Sequence, residues 1–199
     1  MRRIPQDLQV RRTRSLPLKA AAMIGVLVTL ASLRVKAAGV PTEYDVKAAY
    51  LYNFARFVQW PTKGKTSAGA SFPVCVLGMD PFGRTLDRQV AGQTIDSMSV
   101  VARRVSTPEE AAGCRILFIS SSEDSALNGI LSTLSNASVL TVSDMPQFTE
   151  RGGMVSFILQ NNRIRFDVNL AAAKRAGLIL SSQLLKLAAS VKGDNPPAD

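Results

Sequence analysis

The 199-residue chain contains no histidine. That absence removes Ser-His-Asp and Cys-His nucleophile arrangements and the usual histidine-bearing zinc sites together. Cysteine is scarce as well: Cys75 and Cys114 are the only two, too few to hold a metal by thiolates alone. Neither a Walker loop nor a dinucleotide-binding glycine fingerprint is present. No catalytic set, metal or cofactor is therefore expected, and the chain reads as a non-enzyme. After residue 37 there is no further long apolar run.

What is plentiful is positive charge, with 24 Lys and Arg against 15 Asp and Glu and a net charge of +9. The surplus is local. Residues 1–37 hold Arg2, Arg3, Arg11, Arg12, Arg14, Lys19, Arg34 and Lys36 against a single acid, Asp7, and the rest of the chain is nearly balanced. Charge thus gives no reason to expect nucleic acid, and the small basic clusters Arg103-Arg104 and Arg163/Arg165 read as solvated surface. Ala20 to Leu33 is the apolar run after those positives, shorter than the roughly 20 residues a membrane span needs. Val35-Lys36-Ala37 supplies a small-residue cleavage pattern. Residues 1–37 are read as a cleavable signal peptide, with an uncleaved anchor as the alternative, and 38–199 as one exported, periplasmic domain. In that compartment an even cysteine count favours a Cys75–Cys114 disulfide; two buried thiols on neighbouring strands are the other reading.

Apolar periodicity places a helix over Tyr44 to Trp60, capped by Thr42 and ended by Pro61, with Val46, Tyr50, Phe54, Phe57 and Val58 on one side. A polar loop is expected over 62–71. Continuous apolar strands follow at 72–78, 115–120 and 138–142, and 94–105 reads as extended. Short helices are expected from Gly83 to Val90, from Thr107-Pro108 and from Ser122 to Ser135. Gln160-Asn161-Asn162 joins two alternating strands as a hairpin. Leu170 to Val191 reads as a closing helical region. If Gly177 breaks it, Leu178 to Leu180 are extended and Ser181 or Ser182 caps a second helix; a frayed tail covers Asn195 to Asp199. The sum is a single layered α/β domain, a largely parallel mixed sheet flanked by helices with a late antiparallel hairpin.

Asp80, Ser120, Ser121 and Asp144 follow strands and are expected at one sheet edge, where open α/β sheets take ligands. They form the candidate small-ligand cleft, and the basis of an alternative function as a small-molecule-binding or hydrolytic domain. Turn and cap duty is the competing assignment for all four.

The wording VKAAYLYNFARFVQWP closely resembles the opening signature of the YfiR family. FPVCVLGMDPFG (72–83), AGCRILFISSS (112–122), VLTVSDMPQF (139–148) and the stretch 152–188 continue the resemblance in order. It implies a periplasmic protein that holds an inner-membrane diguanylate cyclase inactive by binding its periplasmic sensor domain. Relief comes from sequestration by an outer-membrane OmpA-like lipoprotein or from a redox disturbance. The output is cyclic di-GMP, and through it biofilm formation. The resemblance also implies a homodimer. Leu170, Leu178, Leu180, Leu184 and Leu187 are the candidate partner surface, and a deeply buried helix is the other reading of the same leucines.

Overall fold

The computed structural model describes residues 40–61 and 70–193. The signal peptide expected over 1–37, residues 62–69 of the polar loop and the tail expected over Asn195–Asp199 lie outside the described residues.

Helix α1 (Glu43–Phe57) opens with a reciprocal cap. Thr42 Oγ1 accepts the Asp45 amide at 3.2 Å, and the Asp45 carboxylate accepts the Thr42 amide at 2.8 Å. The helix stops at Phe57, earlier than its apolar pattern predicts. The next two residues form strand β1 (Val58–Gln59), antiparallel to β9 (Ile179–Leu180), and the Ser181 amide takes the Phe57 carbonyl at 2.8 Å. The residue after β9 thus takes a carbonyl whose helical partner would be Pro61, which has no amide proton. The buried stripe is also rotated from the expected one. It runs Lys47, Ala48, Leu51, Phe54, Ala55, and it includes a charge.

Five parallel strands make the centre of the sheet: β2 (Ser71–Leu77), β4 (Met98–Val105), β5 (Ile116–Ile119), β6 (Leu140–Ser143) and β7 (Val155–Gln160). Edge strand β3 (Thr94–Ile95) runs antiparallel to β4, β8 (Arg163–Asn169) antiparallel to β7, and β10 (Ser190–Lys192) parallel to β8. The order across the eight strands is β10-β8-β7-β6-β5-β2-β4-β3. This is the expected layered α/β domain with its late hairpin. Asn161 and Asn162 turn that hairpin with φ of 50° and 58°, the positive values a tight two-residue turn requires. The same device at Asp96-Ser97 splits 94–105, expected as one extended run, into β3 and β4.

Side chains alternate between two helical layers. Phe72, Val74 and Val76 of β2 join a core with α1, α2 (Arg84–Val90), α5 (Leu170–Arg175) and α6 (Ser182–Leu187). Cys75 and Leu77 face the opposite core, with α3 (Pro108–Ala111) and α4 (Leu127–Thr133). Coverage on both faces is why these strands read as continuously apolar. A 3₁₀ turn, Ser121–Ala126, precedes α4 where one longer helix was expected. The closing region does break at Gly177 (φ 75°), and Ser181 caps α6 by accepting the Leu184 amide. Strand β10, expected as helix, pairs with β8 instead.

Cys75 and Cys114 are joined in a disulfide inside the second core, at 0% and 5% exposure. It ties β2 to the turn before β5 and closes a loop of sequence separation 39. On the chain-entropy account that closure is worth about 4 kcal/mol. Cys114→Ala should lower unfolding stability by about 2–4 kcal/mol in urea titrations, and reductant should bring the wild type to the same midpoint. A wild type indifferent to reductant would contradict the assignment of stability to this bond.

Candidate functional site

Strands β2, β5 and β6 are neighbours and parallel, so the residues following them meet at one edge of the sheet. The chain leaves β2 toward β4 and later crosses to β5, which makes the gap between β2 and β5 the point where strand order reverses. All four residues expected at this edge follow those strands: Asp80 after β2, Ser120 and Ser121 after β5, Asp144 after β6. Each of the two acids has a partner within the protein.

Asp80 Oδ1 accepts the Phe82 amide at 2.8 Å, and its Oδ2 accepts Arg104 Nε at 2.8 Å. Arg104 also forks onto Asp87 at 2.7 and 2.8 Å, holding α2 against β4. The hydrogen bond from Arg104 draws the Asp87 carboxyl below its ordinary value. Ser120 is buried and accepts the Ser122 amide through its hydroxyl, while Ser121 is exposed. In the reversal gap itself, Ser122 Oγ accepts the Met79 amide at 2.9 Å and donates to Glu123 at 2.9 Å. Gly78 (φ 86°) sits directly against these groups, and a Cβ there would stand 2.6 Å from the Glu123 carboxylate. Ser122 and Glu123 thus fill the place where a ligand of this topology would sit.

Asp144 lies at the centre of a second network. Its Oδ2 accepts Lys47 Nζ at 2.6 Å and the Tyr44 hydroxyl at 3.0 Å. Lys47 reaches Glu43 as well, at 2.5 Å, and its side chain is only 3% exposed. Its ammonium lies 4.5 Å from the Tyr44 ring centre, a cation–π distance. The Tyr44 ring packs edge-on against Phe82 (5.4 Å), and Phe82 against Phe118 (4.8 Å). The first two turns of α1 therefore lie over the carboxyl edge, from the loop after β2 to the loop after β6. Burial opposes the Lys47 charge, but the hydrogen bonds to Asp144 and Glu43 more than offset that and raise its pKa above 10.5. Burial, then the Asp144 charge, push the Tyr44 phenol up.

Chemically this is a strap, with one ammonium shared by two carboxylates and a phenol closing the set. Asp80 and Asp144 serve separate ion pairs, and the rings of Phe82 and Tyr44 bridge the edge between their loops. Sequence reading missed Lys47. The available signal was a lysine inside the apolar stripe of α1, but its partner lies 97 residues away. Among the described residues no group of three or more acids or cysteines is placed to hold a metal.

The leucines expected to face a partner need correction. Leu170, Leu178, Leu180 and Leu184 are 4%, 1%, 7% and 2% exposed and belong to the core shared with α1. Their wide apolar face is consumed by the sheet and α1 together. Leu187 alone of the five reaches the surface, at 57%.

The family model described as YfiR/HmsC-like matches residues 44–189. Among solved structures, a conserved domain protein from Vibrio cholerae O1 biovar El Tor is similar in fold, with a TM-score of 0.52 at 12% identity. The match covers 76% of this chain but only 60% of that one. An ABC domain in complex with L-Trp from Streptococcus pneumonia matches at a TM-score of 0.45 and 12% identity, over 60% of this chain and 55% of that one. No curated protein is significantly similar to the chain.

Lys47→Met should lower stability by about 3 kcal/mol at pH 7, because it leaves Asp144 without its buried cation. The Lys47 pKa is raised on folding, so its contribution is present below the unfolded value of about 10.4 and fades as pH climbs through the folded one. Denaturant titrations of wild type and variant should therefore converge in strongly alkaline solution. A constant difference at every pH would show that lost packing, not charge, is responsible.

Proposed function

The chain belongs to the YfiR/HmsC-like family, and we propose that it is a periplasmic negative regulator. In this reading it binds the periplasmic sensor domain of an inner-membrane diguanylate cyclase, lowers cyclic di-GMP and so restrains biofilm formation. The observation that carries the reading is the family match, which runs from the first turn of α1 to the residue before β10. The buried disulfide supports an oxidising compartment outside the cytoplasm. The same bond offers a route for envelope redox conditions to act on the regulator, because opening it loosens the β2–β5 junction. An outer-membrane OmpA-like lipoprotein is the proposed sequestering partner, and a homodimer the proposed assembly. Export by cleavage of residues 1–37 completes the proposal. The alternative, a ligand-binding or hydrolytic site built on Asp80 and Asp144, loses support because Arg104 and Lys47 already engage both acids.

Deleting the gene should raise cellular cyclic di-GMP, measured by mass spectrometry of extracts, and wild-type complementation should restore it; an unchanged or lowered level overturns the repressor reading. Complementation with Cys75→Ser should restore it incompletely and leave less folded protein in the periplasm. Full repression by that variant would remove the disulfide from the regulatory account.

A further inference from the structure

A cavity of about 360 Å³ opens between α4 and α5, away from the carboxyl-edge network. Its floor is apolar, formed by Leu131, Met154 and Ala172. Its charged lining is of one sign: Arg151 and Arg175 face it and no carboxylate does. Arg151 is anchored by Asp124, which accepts from Nη1 through its carboxylate and from Nη2 through its backbone carbonyl at 2.9 Å. A guanidinium carries five N–H donors, so three remain after those two bonds. Arg175 is exposed at the other wall and makes no ion pair among the described residues. Thr141, 2% exposed, also lines the cavity. Its hydroxyl oxygen accepts the Met154 amide at 3.2 Å, and its proton has no protein acceptor among the described residues.

The two guanidiniums facing the cavity thus offer donors, one anchored by Asp124 and the other exposed and without an ion pair among the described residues. We propose that it binds a small organic anion, a single carboxylate or phosphate on an apolar body of about ring size. The anionic group sits between Arg151 and Arg175, where paired guanidinium donors match its oxygens. The apolar body lies on Leu131, Met154 and Ala172, and the volume is at the small end of the range for ligand sites.

Benzoate and phenyl phosphate are suitable probes, with benzyl alcohol and benzylamine as neutral and cationic controls of the same size. Titration into the labelled protein, followed by amide chemical shifts, should show millimolar binding of one or both anions, with shifts clustered at 128–135, 141, 151–154 and 172–176. Benzoate binding alone assigns a carboxylate ligand, phenyl phosphate alone a phosphate. Benzyl alcohol and benzylamine should bind about tenfold more weakly or not at all. Arg175→Glu, at an exposed position, should weaken anion binding about tenfold or more, and Ser132→Trp should abolish it by filling the opening. Both variants should melt like the wild type, since neither residue is buried. Anions binding no better than benzyl alcohol, binding that survives Ser132→Trp, or shifts confined to residues outside 128–135, 141, 151–154 and 172–176 would each overturn the proposal.

Discussion

Strands β2, β5 and β6 are parallel neighbours, so each must be reached by a crossover, and the crossovers leave helices on both faces of the sheet. Everything else in the domain answers to that coverage. Cys75 and Leu77 point into one layer while Val74 and Val76 point into the other, which is why no polar residue interrupts β2 from Phe72 to Leu77. The disulfide belongs to the layer built on only two of the described helices, α3 and α4, where there is less helical surface to bury. The opposite layer has α1, the longest helix among the described residues.

The carboxyl edge shows how completely the same logic is carried to the ends of the strands. In an open α/β sheet the reversal of strand order leaves a gap that ligands commonly use. Here Ser122 and Glu123 fill the gap, Arg104 neutralises Asp80, and α1 lays Tyr44 and Lys47 across to Asp144. Lys47 tolerates burial because two carboxylates and an aromatic face replace its water. The two aspartates of the edge thus serve in ion pairs that hold the strand-end loops, β4 and α1 together.

Local signals were read correctly where a residue acts through its own neighbours. The Thr42 cap, the Thr107-Pro108 start, the Asn161-Asn162 turn and the break at Gly177 each involve groups a few residues apart. Reading failed where a distant segment changed the outcome. Phe57 to Trp60 carries a helical pattern, yet β9 extends it because Ser181 takes the Phe57 carbonyl. Leu178, Leu180 and Leu184 form an apolar face that looks available in one dimension and is spent on α1 in three.

By itself, then, the sequence determined the fold class, the strand-end positions of Asp80, Ser120, Ser121 and Asp144, and the resemblance to a family. Those follow from short-range periodicity, capping chemistry and word order. Only the tertiary structure decided that the two aspartates are matched by separate cations, that Lys47 is buried, and that Arg151 and Arg175 face one cavity. Each of these is a meeting of side chains from separate elements, and periodicity along one segment carries no information about which other segment will lie against it.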